Sequence, residues 1–139
     1  PILQISNINI PMLVSKELNL DIDLFKNGEI ATLFKLNCEW LNKLIKVKDI
    51  KSLENVIKIV PVSIKAELEK LLSKAKEVDY GNIIIAPLYY GALRYYDGIY
   101  YRVINDNLTL CNGGVYSSEG ISSLGFALYT DNLLKILED

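Results

Sequence analysis

Residues 89–134 read YYGALRYYDGIYYRVINDNLTLCNGGVYSSEGISSLGFALYTDNLL, and this stretch decides the fold. Ile99 to Ile104 is predicted as a strand with Ile99, Tyr101 and Val103 on one face and Tyr100, Arg102 and Ile104 on the other. Asn105, Asp106 and Asn107 carry hairpin chemistry, because Asn and Asp tolerate positive φ. Leu108 to Cys111 is the returning strand. Asn112-Gly113-Gly114 then reads as a break, open either to close approach of a ligand or to a bulge or turn. A Gly-Phe-Ala-Leu strand at 125–128 runs into a short closing helix. Strand, turn, strand and glycine break together look like the floor and wall of a small-molecule pocket. Tyr95, Tyr96, Tyr100, Tyr101 and Tyr116 supply rings with a polar tip, which suit either such a pocket or ordinary core packing. Arg94 and Arg102 are equipped to clamp a carboxylate or to sit at the surface.

Upstream the chain is mostly helical. A β-branched strand is expected at Leu3 to Ile8, ending before Pro11, with helix from Met12. Asp21 and Asp23 cap a turn, and Asn27-Gly28 is a break. Ile30, Leu33, Phe34, Leu41, Leu44 and Ile45 have helical spacing, divided at Asn37, which is expected to cap a short helix carrying Trp40. Asp49 opens a further helix with Ile50, Leu53, Val56 and Ile57 on one side. The clearest helix begins at Ser63, with Ile64, Leu68, Leu71, Leu72 and Ala75 on one face, and helices end by Tyr80-Gly81. Asn82 to Ala86 is a short buried strand. Strand, helices, then an antiparallel meander argue for an α+β fold rather than a doubly wound sheet.

Composition narrows the function. The chain has 139 residues, half of them apolar, and a net charge of −2. It is long enough for one core, and its 15 basic residues are spread out, so nucleic acid is not an expected partner. No apolar run approaches a membrane span, and Pro1-Ile-Leu-Gln lacks signal-peptide character. Two cysteines make no disulfide framework, so reduced thiols and a cytoplasmic location are expected. There is no histidine, which removes the commonest general base and zinc ligand, so neither a metal site nor a Ser–His or Cys–His nucleophile is expected. The start at Pro1 suggests a processed chain or a fragment.

Three ordered motifs carry a resemblance. Leu93-Arg-Tyr-Tyr-Asp-Gly98, Cys111-Asn-Gly-Gly-Val-Tyr116 and Gly125-Phe-Ala-Leu-Tyr-Thr-Asp-Asn-Leu133 resemble the last third of the histidyl-tRNA synthetase fold. The corresponding patterns there are Arg-Gly-Leu-Asp-Tyr-Tyr-Thr-Gly, a Gly-Gly-Gly-Arg-Tyr-Asp turn and Gly-Phe-Ala-x-Gly-x-Glu-Arg-Leu. Leu3-Gln-Ile-Ser-Asn-Ile-Asn-Ile10 resembles the Leu-Asp-Ile-Gly-His-Val-Gly-Ile strand before the helical insertion. Three arginines of the synthetase patterns fall here on Gly91, Val115 and Asn132, so the cations that serve adenylation are absent. The chain is most similar to the paralogous family of ATP phosphoribosyltransferase regulatory subunits, and to the C-terminal portion of it. The alternative is a histidyl-tRNA synthetase or a histidine-activating relative; a plain structural fragment is a third reading.

The resemblance implies part of a class II aminoacyl-tRNA synthetase-like antiparallel sheet with a helical insertion. Its divisions are 1–14 (core strand and connection), 15–79 (helical insertion) and 80–139 (antiparallel strands and closing helix). It implies a histidine site at Tyr95, Tyr96, Gly113, Gly114 and Tyr116, with no catalysis and no cofactor in this subunit. It also implies assembly with a short catalytic subunit, self-association, and histidine feedback in histidine biosynthesis.

Overall fold

The computed structural model describes residues 1–90, 98–106, 108–118 and 121–128, with positions from 115 onward described as backbone. The chain begins with strand β1 (Ile2–Asn7). Six helices follow: α1 (Asn9–Leu18), α2 (Asp23–Lys26), α3 (Ile30–Phe34), α4 (Glu39–Ile45), α5 (Ile50–Ile57) and α6 (Val62–Glu77). Strands β2 (Ile83–Ile85), β3 (Ile99–Asn105), β4 (Leu108–Ser118) and β5 (Ile121–Leu128) complete a five-stranded sheet in the order β2-β1-β3-β4-β5. The expected α+β class holds. The sheet is mixed, however: β1 pairs with β2 in parallel, and the other neighbours are antiparallel.

Local chemistry explains most element ends. Helix α1 starts at Asn9, earlier than expected, and takes Pro11 into its first turn. Proline is tolerated there because first-turn N–H groups have no partner within the helix. The Asn7 side chain covers one of those groups, its Oδ1 accepting from Asn9 N at 3.0 Å. Asp21 does the same for Asp23 N at 3.0 Å. Gly28 ends the α2 segment with φ 63°. Asn37 divides α3 from α4 by adopting a left-handed φ of 53°; the residue before α4 is Cys38, so Asn37 closes one helix rather than capping the next. Asp49 forms a reciprocal capping box with Ser52, as its position before an apolar stripe led one to expect.

The helices bury their apolar stripes on one face of the sheet. Leu53, Ile64, Leu68 and Leu71 are fully buried and share a cluster with Ile5, Ile85 and Ile99 from the strands. Residues directly opposite in a ladder share a face, so Ile5↔Tyr101 and Asn7↔Ile99 place those residues on the helix side. The expected alternation of β3 is therefore observed.

Two strand expectations are corrected. Strand β2 is short but not buried throughout: Ile85 is enclosed while Ile84 is 39% exposed, because β2 lies at the sheet edge. Asn112-Gly113-Gly114 is not a break. It lies inside β4, paired to β3 on one side and β5 on the other. Two flanking ladders outweigh the weak strand preference of glycine. The irregularity sits earlier, where Val103 pairs with Cys111 but Ile104 with Thr109, leaving Leu110 as the extra residue. The expected closing helix lies outside the described residues.

Candidate functional site

The face of the sheet opposite the one that packs on α6 carries a row of polar side chains. Strand alternation brings Gln4 and Ser6 of β1, Tyr100 and Arg102 of β3, and Asn112 and Gly114 of β4 onto it. The pairs are Gln4↔Arg102, Ser6↔Tyr100, Tyr100↔Gly114 and Arg102↔Asn112. Gln4, Ser6, Tyr100 and Asn112 are all buried. Buried polar side chains on a sheet face need partners, and here they partner one another in part.

Arg102 is the hub. Its Nη2 donates to Gln4 Oε1 at 2.7 Å, and its Nη1 donates to the Tyr89 hydroxyl at 3.2 Å. The guanidinium also lies 4.4 Å from the centroid of the Tyr89 ring. That ring stacks on Tyr100, with centroids 5.6 Å apart and planes at 19°. Tyr89, on the connection after β2, is thus held against the face by a cation–π contact, a hydrogen bond and a stacked neighbour. None of the ion pairs among the described residues includes Arg102.

Among the predicted site residues, Gly114 lies on this face, and its neighbour Gly113 belongs to the opposite one, in register with Tyr101 and Phe126. Tyr116 occupies β4 opposite Ser123, two positions beyond Gly114; its side chain lies outside the described part. Tyr95 and Tyr96 lie outside the described residues, as do Gly91 and Asn132, and Val115 is described as backbone alone. The sequence reading missed Gln4, Ser6, Asn112 and Tyr89 as members of one face. The alternation of β3 was the available signal, since any strand paired to it inherits its two sides.

A cavity of about 480 Å³ opens beside this face, at the β2 edge. Phe25, Leu33, Leu44 and Ile84 form its apolar wall, and Gln4 and Tyr89 join it to the polar face. Gly113 and Gly114 do not line it. Its walls come from three helices, strands β1 and β2 and a connection, so no local pattern announced it.

Among the described residues, no three His, Cys, Asp or Glu side chains gather as a metal site, and Cys38 and Cys111 are unpaired thiols. No helix among them is long and apolar enough to cross a membrane. Remote from the face, the hydrogen bond from the Ser52 side chain, helped by Ser52 N–H, holds the Asp49 carboxyl below its ordinary 3.8.

No family model matches the chain. The architecture is shared with a solved structure from Bacillus halodurans described as an ATP phosphoribosyltransferase regulatory subunit/histidyl-tRNA synthetase. The TM-score is 0.72 at 15% identity, covering 99% of this chain and 44% of that one. The chain therefore has a class II synthetase-like α+β fold of the histidyl-tRNA synthetase type.

Two curated relatives narrow this further. An ATP phosphoribosyltransferase regulatory subunit of Wolinella succinogenes is 38% identical over 135 residues, 97% of this chain and 47% of the relative. One from Helicobacter hepaticus is 36% identical over 137 residues, 99% of this chain and 49% of the relative. By sequence the chain is a relative of the ATP phosphoribosyltransferase regulatory subunits, as its three motifs led one to expect. It spans about half the length of the curated relatives it matches.

Proposed function

We propose that this chain is the C-terminal portion of a non-catalytic regulatory subunit of ATP phosphoribosyltransferase, the enzyme that opens histidine biosynthesis. The observation that carries this reading is the 38% identity to such a subunit over nearly the whole chain. Its support from the residues is the replacement of three synthetase arginines by Gly91, Val115 and Asn132. Adenylation needs cations on the phosphates and on the developing charge, so their loss removes that chemistry and leaves a binding site.

In this reading the subunit activates a short catalytic subunit in the cytoplasm, self-associates within the complex, and transmits histidine feedback. Residues 15–79 form the helical insertion between the core strand and the meander. Tyr95, Tyr96 and Tyr116 contact the imidazole or amine of histidine, and Gly113 and Gly114 let it approach the sheet backbone. Histidine acts by binding one arrangement of the assembly more tightly than another, since a ligand shifts an equilibrium by no more than its differential affinity.

The test is reconstitution of the full-length protein with the short catalytic subunit. Phosphoribosyltransferase activity that requires both chains and falls on adding histidine is the expected result. Histidine- and ATP-dependent pyrophosphate exchange by the full-length protein alone would overturn it in favour of a synthetase. For the site, calorimetry of histidine on Tyr96→Ala and Tyr116→Ala variants should show weaker binding, and unchanged affinity in both would make the tyrosines core residues.

A further inference from the structure

Three buried donors on the polar face have no acceptor among the described residues: Gln4 Nε2, Ser6 Oγ and Arg102 Nε. Ser6 is fully enclosed and Gln4 is 6% exposed. The Gln4 amide is oriented by its Oε1, which accepts from Arg102, so the group left over is its N–H donor. Gln4 and Arg102 lie directly across from each other in the β1–β3 ladder, and Ser6 is two residues along on the same face, roughly 7 Å away. The partners that Arg102 has among the described residues, Gln4 Oε1 and the Tyr89 hydroxyl and ring, are all neutral. A half-buried guanidinium, an amide N–H and a hydroxyl, all short of an acceptor, make a concentration of donors beside a positive charge. The Asn112 side-chain oxygen is buried on the same face, opposite Arg102, and can answer part of this set. Buried donors are ordinarily satisfied, so the donors that remain call for an acceptor from outside the described residues, and the charge calls for an anion.

We propose that Arg102, with Gln4 and Ser6, forms an oxyanion subsite, and that it takes the carboxylate of the amino-acid ligand. The identity of that ligand as histidine rests on the functional reading above; the oxyanion subsite does not. The guanidinium edge carrying Nε faces a planar carboxylate well, and the Gln4 amide or the Ser6 hydroxyl supplies a further hydrogen bond. Tyr89 holds the guanidinium from the other side by its ring and hydroxyl.

The test is calorimetry on the full-length protein and its Arg102→Met variant with three probes: L-histidine, L-histidinol and inorganic phosphate. Histidinol keeps the amine and ring but lacks the carboxylate. The expected result is a preference for histidine of about 10- to 100-fold, the size of a charged hydrogen bond, abolished in Arg102→Met. Phosphate should bind the parent protein and be lost in the same variant. Arg102-dependent phosphate binding without histidine binding would keep the oxyanion subsite and remove histidine as its ligand. Equal binding of histidine and histidinol, together with phosphate binding that is absent or indifferent to Arg102, overturns the proposal. So does a histidine preference that survives in Arg102→Met. If Arg102→Met fails to fold, Ser6→Ala removes one donor with little change in packing. It should reduce the preference by about threefold, the loss of a weak neutral hydrogen bond.

Discussion

Gly98 has φ 83°, and its Cα lies against two asparagines. A Cβ at this position would overlap Asn7 Oδ1 and Asn9 Nδ2. The Gly98 carbonyl accepts from Ile8 N at 2.8 Å, tying the start of β3 to the β1–α1 junction. Gly98→Ala is therefore expected to destabilise the protein by about 1–3 kcal/mol, from left-handed strain and the clash, read by urea unfolding. Asn7 itself is fully buried and is the node of this junction, its Nδ2 donating to Glu67 O at 3.1 Å and to Glu67 Oε2 at 2.8 Å. At Asp49 the direction of a pH effect follows from its lowered pKa. The folded state prefers the carboxylate, so its contribution is fully present above 3.8 and is lost as pH falls through the depressed folded value. Asp49→Asn should flatten the dependence of Tm on pH below 3.8, with little change in the shape of the profile above it. Asp49 was legible from sequence, because a capping residue before an apolar stripe is a local signal. Gly98 was not, because its crowding comes from residues some 90 positions away.

At the scale of elements, α6 is the best-specified part of the chain. Ile64, Leu68, Leu71 and Ala75 are buried and recur at helical spacing, whereas Val62 is 86% exposed. Leu68→Ala should cost about 2–5 kcal/mol through lost burial and the cavity left behind. Val62→Ala should change stability by no more than about 0.5 kcal/mol, and chemical denaturation of the two variants side by side checks the contrast. Strand β4 teaches the opposite lesson. Its two adjacent glycines have low strand preference, so a reading by propensity breaks the strand at Asn112. The ladders to β3 and β5 carry it on to Ser118. Propensity is a small term, and pairing on both sides outweighs it.

At the scale of the whole molecule, the helices and the sheet share one core. Ile5 from β1 meets Leu68 and Leu71 from α6 within it, and Asn7 joins β1 to α6 by hydrogen bonds. The helices should therefore not melt as a separate unit. Ile5→Ala is expected to destabilise the protein by about 2–5 kcal/mol and to lower the helical and the tertiary signals together. Circular dichroism in the far and near ultraviolet during thermal unfolding checks this; two separated transitions would contradict it.

Periodicity and capping are local, so the residues alone placed the helical regions other than the short α2, which they read as a turn, and sorted the faces of β3. The three motifs likewise pointed to the right relatives, because a resemblance needs only order and spacing. Which strands meet is a different kind of fact. The parallel pairing of Leu3 with Ile83 closes a loop of some eighty residues, and Gln4 meets Arg102 across 98 positions. Such closures depend on how the helices pack and on which edges remain free, and no window of sequence contains them. The polar face, with its three buried donors, exists only because those closures occur.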